Sequence, residues 1–309
     1  TYSELLRFSS TLANKDKKGK DTLWETVLFH PNEMNDIHHR LVKMYAMMKF
    51  GGNESLMEHL SVDRVDYCAF GNSKPFRIRI VNQFNDNHDY YYVKIADASR
   101  IYGLELEDLL SPNRIGYMVG EDTLVEEHIA GIPGDMFTKE EYRWLEENEV
   151  RMAKEFVKFN ERCLVRLLGD MHSSNFVVAI TPDFEEVEYR IRAIDFDQQC
   201  YEGKKFVYMP QYFTQNNAFI KVGMEVLTPE TVKQYQKEER SLIATRLKSS
   251  RYRVKELGDA VKNDIISTPG NVEQLKNELA EYYQHKEFLR CKNMGSIVRT
   301  SLKMLLAKG

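Results

Sequence analysis

The sequence predicts an α+β chain in two parts: a small antiparallel sheet with one inserted helix, then a larger, mostly helical region. Three observations predict it. Between residues 62 and 129, short alternating apolar segments are separated by polar turns, with one helical stretch among them, in the order β-β-β-α-β-β. From residue 130 onward apolar residues recur mostly at helical spacing. Within that region a polar loop precedes a hairpin whose second strand closes on an acidic residue.

The elements follow in order. Residues 15–20, Lys-Asp-Lys-Lys-Gly-Lys, read as a solvated loop. A helix is expected from about Glu33 to Phe50, capped by Asn32 and ended by Gly51-Gly52, with Ile37, Leu41, Met44, Tyr45 and Met48 on one face. His38 and His39 are adjacent on it and point about 100° apart, so they cannot chelate one metal together. Val62 to Phe70, Arg77 to Val81 and Tyr90 to Ile95 read as three antiparallel strands, and the polar run Asn82 to Asp89 joins the last two. A helix over Ser99 to Leu110 is stopped by Ser111-Pro112. Two more strands, Ile115 to Val119 and Thr123 to Ile129, flank a Gly-Glu-Asp turn.

Thr138 and Glu141 form a capping box for a helix to about Asn160, with Trp144, Leu145, Met152, Phe156 and Phe159 apolar. A short apolar run, Cys163 to Leu168, leads into the polar loop Gly169 to Asn175. The hairpin runs from Phe176 to Ile180, turns at Pro182-Asp183, and returns over Glu186 to Ile194, reaching Asp195. Helices are then expected over 229–247, with Pro229 in the first turn, and over 251–266, 271–290 and 294–308.

Composition narrows the function classes. The 309 residues are 42% hydrophobic and 29% charged, enough for a sizeable core and incompatible with global disorder. No apolar run approaches the roughly 18 residues of a membrane helix, so no integral membrane contact is expected. A net charge of −4 gives no case for nucleic acid. The charge is uneven: residues 229–309 carry 16 Lys+Arg against 10 Asp+Glu, and residues 1–228 carry 27 against 37. Arg246, Lys248, Arg251, Arg253 and Lys255 lie close together and could form a basic wall for an acidic acceptor, or a solvated face. Cys68, Cys163, Cys200 and Cys291 form no C-x-x-C pair, which speaks against a zinc site or a disulfide framework. Reduced, mostly buried thiols fit a cytoplasmic protein.

One constellation carries chemistry. Asp170 and Asn175 share the polar loop, Asp195 closes the hairpin, and Lys94 interrupts an aromatic, β-branched strand. Phosphoryl transfer calls for such a set. Hard Mg²⁺ prefers oxygen ligands, which Asn175 and Asp195 can offer. The acceptor hydroxyl needs a carboxylate to orient it and take its proton, a role open to Asp170, and Lys94 can neutralise phosphate charge.

The runs Leu168-Gly-Asp-Met-His-Ser-Ser-Asn175 and Ile194-Asp-Phe-Asp197 resemble the H-G-D-x-H-x-x-N and I-D-F/W-[DEG] motifs of aminoglycoside-phosphotransferase-like and choline-kinase-like enzymes. The resemblance implies the bilobal protein-kinase-like fold, ATP and Mg²⁺ as cofactors, Asp170 as catalytic base, and Asn175 and Asp195 as metal ligands. It places His172 at the family's second histidine and Lys94 at its phosphate-binding lysine. It places Leu124 to Ile129 at the adenine-binding hinge, so that Glu127, His128 and Ile129 would meet the nucleotide, and Gly131 to Gly134 at the turn after it. On this reading residues 1–60 form an N-terminal helical extension, 61–129 the small nucleotide-binding lobe and 130–309 the large catalytic and acceptor-binding lobe. Leu168 departs from the first histidine of the motif. No G-x-G-x-x-G lies between the first two strands, so the turn Gly71-Asn72-Ser73-Lys74-Pro75 is the candidate to cap phosphates, or a plain hairpin turn. The lysine's carboxylate partner is expected on the inserted helix at Glu105, which shares a face with Ile101, rather than at Glu107; only one of them can point that way, because residues two apart differ by about 200°.

The expected activity is ATP-dependent transfer of phosphate to a hydroxyl of a small molecule or glycoconjugate. An atypical protein kinase and a non-catalytic, nucleotide-sensing pseudokinase or scaffold are the alternatives.

Overall fold

The computed structural model describes residues 1–16, 18–53, 57–71, 73–139, 148–182 and 187–306. The chain forms two compact units, residues 1–97 with 115–128 and residues 98–114 with 129–309. The inserted helix therefore belongs to the second unit.

In the first unit a seven-stranded antiparallel sheet has the order β1-β2-β3-β4-β5-β7-β6. Its strands are β1 (Ser10–Lys15), β2 (Asp21–Leu28), β3 (Leu60–Tyr67), β4 (Phe76–Asn82), β5 (His88–Ile95), β6 (Tyr117–Gly120) and β7 (Thr123–Glu127). A short helix, α1 (Tyr2–Leu5), precedes them, and α2 (Pro31–Phe50) crosses between β2 and β3. Alternation in β4 buries Phe76, Ile78 and Ile80 on one face. With Tyr91 and Val93 of β5 and Val125 of β7 they meet Ile37, Leu41 and Tyr45 of α2 in one core. Tyr91 donates to the Leu41 carbonyl at 2.9 Å, which satisfies its hydroxyl inside that core.

The helix over residues 31–50 forms as expected, with Pro31 in its first turn and Gly51 left-handed at its end (φ 61°). The expected cap is displaced: the helix begins two residues earlier, after His30. The N-terminal 60 residues are not simply a helical extension. Their β1–β2 hairpin joins the sheet, with Glu25 and Thr26 registered against Tyr67 and Asp66. Leu12 and Leu23 are 58% and 63% exposed, so neither strand shows the apolar alternation of a buried face.

The second unit holds α3 (Ala98–Leu110), α4 (Gly134–Phe137), α5 (Glu149–Arg166), α6 (Asn217–Val226), α7 (Pro229–Ser249), α8 (Arg251–Asn263), α9 (Pro269–Tyr283) and α10 (Met294–Leu306). A three-stranded antiparallel sheet, order β10-β9-β8, adds β8 (Ile132–Pro133), β9 (Phe176–Pro182) and β10 (Val187–Ala193). Thr228 and Thr268 cap α7 and α9, each accepting from the amide three residues on and each followed by Pro. The apolar run Cys163 to Leu168 is no separate element: α5 continues to Arg166 and ends at a left-handed Leu167. The proposed capping box at Thr138 and Glu141, with Trp144 and Leu145, lies largely outside the described residues, as does the Asp183 turn. The helix expected over 271–290 breaks after Tyr283, where Gln284 is left-handed and a 3-10 turn follows. All four cysteines are free and buried. Among the described residues no helix is long and apolar enough to cross a membrane.

Candidate active site

The polar loop hangs from the end of α5. Leu168 is wholly buried and bridges Gln199, and the Gly169 and Asp170 amides donate to the Gln198 and Val207 carbonyls at 3.2 and 3.0 Å. Leu168 thus holds the loop through its backbone where the family motif has a histidine. Asp170 is left-handed, φ 59°, a conformation that aspartate tolerates better than most residues and that marks local strain. The Asn175 Nδ2 donates to the Asp170 carbonyl at 2.9 Å, closing the loop on itself. The Ile194 amide then donates to the Asn175 carbonyl at 3.0 Å, which ties the loop to the residue before Asp195. One short segment therefore gathers Asp170, Asn175 and Asp195.

Burial raises the Asp170 pKa above the usual carboxylate range; the charges of Asp195 and Glu202 add to the rise, and His172 opposes it. His172 Nε2 lies 3.9 Å from the Asp170 carboxylate. The Asn175 Nδ2 is committed to the loop, so Oδ1 is the amide atom that remains for a cation. One carboxylate and one amide oxygen suit Mg²⁺, which usually takes one or two protein ligands plus phosphate oxygens and water. Among the described residues no group of three His, Cys, Asp or Glu side chains could hold a metal, so this pair would need the nucleotide's own oxygens.

Helix α3 backs the acidic strand end. Phe196 is buried against Gly103, where a Cβ would stand 2.8 Å from the Phe196 Cβ, so the contact requires glycine. Asp197 turns toward Arg100 at 3.8 Å, and its amide donates to Asp195 Oδ1 at 3.3 Å. Glu107 is buried in an ion pair with Arg166 of α5. Glu105 accepts from Arg253 of α8 at 3.2 Å. Two supports of the loop were not apparent from sequence spacing. Gln199 donates to the Arg166 and Leu167 carbonyls, and Asn216 donates to the Met171 and Pro210 carbonyls. Gln199 follows the second motif by two residues and Asn216 lies 41 residues beyond Asn175, and no periodicity marks either.

In the first unit Lys94 is 6% exposed and pairs with Glu126 of β7 at 2.7 Å. A buried ammonium needs such a partner. Glu126 carried no signal of its own in the sequence; only the β5–β7 pairing brings it beside Lys94. Of the hinge residues, the Glu127 and His128 amides donate to the Gly116 and Tyr90 carbonyls at 2.8 and 3.2 Å, so both are committed to the sheet. The His128 ring stands beside Tyr92, whose hydroxyl lies 3.2 Å from Nδ1. Ile129 is buried where the chain enters the second unit. In the turn between β3 and β4, Asn72 lies outside the described residues. Ser73 is half-buried, the Lys74 amide donates to Gly71, and Tyr2 donates to the Lys74 carbonyl at 2.8 Å.

The basic cluster on α7 and α8 does not form one wall. Arg246 donates to the Leu110 carbonyl at 3.0 Å, and Arg253 pairs with Asp108 and Glu105. Lys248 lines a cavity of about 530 Å³ with Lys233, Lys237 and Arg240. Arg251 and Lys255 face a different cavity.

No protein-family model matches the chain, and no curated protein matches it. Among solved structures it is similar to the Rio2 kinase–ADP/Mg²⁺–phosphoaspartate complex from Chaetomium thermophilum. That similarity has a TM-score of 0.38 at 10% identity and covers 92% of this chain and 84% of that one. The Neurospora crassa PAN3 pseudokinase is also similar, with a TM-score of 0.22 at 8% identity over 90% of this chain and 70% of that one. Neither likeness assigns an activity or a ligand. The chain has an α+β fold, an antiparallel-sheet unit and a mostly helical unit.

Proposed function

We propose that the chain is an ATP-dependent phosphotransferase of the aminoglycoside-phosphotransferase-like and choline-kinase-like kind, acting on a hydroxyl of a small molecule or glycoconjugate. The supporting observation is the left-handed Asp170, tied by Asn175 to the strand that ends in Asp195. Asp170 orients the acceptor hydroxyl and takes its proton as the oxygen attacks. Asn175 Oδ1 and the Asp195 carboxylate would hold Mg²⁺, which neutralises charge on the phosphates. Lys94, held by Glu126, is the cation assigned to the phosphates, and its buried setting keeps it fixed rather than solvated. Residues 127–129 and Ser73 are assigned to the nucleotide, and the Glu127 and His128 amides are already engaged within the sheet.

The test is transfer of labelled phosphate from ATP to fractionated small metabolites and glycoconjugates. Wild type transfers label, and Asp170→Asn, which tolerates the same backbone, loses transfer by about 10²–10⁴-fold while still binding nucleotide. Unchanged transfer by Asp170→Asn would remove the carboxylate from the chemistry. Label appearing on protein alone would move the chain to the protein-kinase alternative.

A further inference from the structure

A cavity of about 210 Å³ lies between α3, α7, α8 and α10 of the second unit. Its walls are apolar: Leu106 and Leu109 of α3, Leu247 of α7, Val254 of α8 and Leu302 of α10. Leu106, Leu109 and Leu247 are at most 4% exposed and belong to the unit's main core. The cavity is smaller than the roughly 300–1,000 Å³ of sites for drug-sized ligands, so it suits a slender chain rather than a ring system.

All the ionisable residues that line it are basic: Arg251, Lys255, Arg299 and Lys303. Arg299 pairs with Asp259 at 3.4 Å, and Arg251 stacks on Tyr252. Lys255 and Lys303 have no carboxylate partner among the described residues, and both are exposed. Long basic side chains often lay their methylene stems over apolar surface and hold their charges in water. That habit accounts for the cations at a covered wall. It does not account for a core cavity that stays open beneath them with no acidic residue in its lining.

We propose that this cavity binds a single-chain anionic amphiphile of the fatty-carboxylate kind. The chain lies along Leu106, Leu109, Leu247 and Leu302, and the carboxylate sits among Lys255, Lys303, Arg251 and Arg299. The site is independent of the proposed transfer reaction. It touches α3, the helix whose Gly103 supports Phe196, so its occupant shares an element with the acidic strand end.

The experiment is calorimetric titration of the full chain with dodecanoate below its micelle concentration, beside dodecanol and phosphatidylglycerol vesicles. Dodecanoate binds saturably at one site, and dodecanol, with the same chain and no charge, binds about tenfold more weakly or less. Lys255→Glu/Lys303→Glu, both at exposed positions, keeps its melting temperature and loses dodecanoate binding by a similar factor. Leu106→Phe narrows the cavity from the α3 side and lowers affinity for both chains. Equal binding of dodecanol, unchanged binding by the charge-reversed variant, or attachment to vesicles without binding of the monomer would each overturn the proposal. So would self-association that Lys255→Glu/Lys303→Glu abolishes while dodecanoate has no effect.

Discussion

Asp170 holds three properties that a merely structural loop residue does not need together. Its backbone is left-handed, its carboxyl is half-buried, and it stands in the field of a second carboxylate, Asp195. A folded-state pKa above the ordinary value means that folding favours the protonated form. The associated cost is absent at low pH and appears as pH rises from the ordinary aspartate value through the raised one. Asp170→Asn removes that cost without disturbing the backbone, so the ligand-free variant should melt at or above the wild-type temperature near neutral pH, with the difference vanishing in acid. Asp170→Ala should melt below Asp170→Asn, because alanine lacks the tolerance of asparagine for φ 59°. Calorimetry from pH 3 to 8 reads both, and an Asp170→Asn variant less stable than wild type at neutral pH would contradict the raised Asp170 pKa. The loop and hairpin that carry Asp170, Asn175 and Asp195 were legible, because a polar run stands before two apolar segments. Glu126 was not, because its role depends on β5–β7 register and not on spacing.

Helix α3 is the element that couples these residues to the rest of the second unit. Glu107 and Arg166 are both buried, and removing one partner leaves an uncompensated charge. Glu107→Ala should lose about 3–5 kcal/mol in denaturant unfolding. Gly103→Ala is more informative because two effects oppose. Helix propensity alone favours alanine by about 1 kcal/mol. The Cβ at 2.8 Å from Phe196 forces overpacking that costs about 1–3 kcal/mol. A destabilised Gly103→Ala variant with reduced phosphate transfer would show that α3 holds the Asp195 strand end through Phe196. A stabilised variant with full transfer would show that it does not. At this scale the strands over residues 60–95 and helix α2 were legible, since each buries one clean face. The β1–β2 hairpin was not, because both of its strands keep large apolar side chains in solvent. The ends of α5 and α9 were misplaced because left-handed Leu167 and Gln284 stop them without a glycine to mark the place.

Across the whole molecule, the main elements between residues 60 and 195 and after residue 229 were readable from periodicity, but the distribution of charge was not. Residues 246–255 read in sequence as either a basic wall or a solvated face. Folding sends Arg246 to a helix carbonyl, Arg253 to two carboxylates, Lys248 to one cavity, and Arg251 and Lys255 to another. The five residues Arg246 to Lys255 therefore do not act together as one wall for an acidic acceptor, and reversing the charge of Arg253, which is already paired with Asp108 and Glu105, should change the apparent KM little. Acceptor kinetics of Arg253→Glu read this directly, and a steep rise in KM would restore the basic-wall reading.

The central claim is a nucleotide–metal site built on Asn175 and Asp195, and a thermal-shift titration with ATP in the presence and absence of Mg²⁺ tests it most directly. A ligand that binds only the native state raises apparent stability by mass action, about 2.7 kcal/mol at a hundredfold excess over Kd. Wild type should show an ATP-dependent rise in melting temperature that requires Mg²⁺, and Asp195→Ala should lose that requirement together with most of the shift. No shift in folded wild-type protein at millimolar ATP and Mg²⁺, or an equal shift in Asp195→Ala, would contradict it.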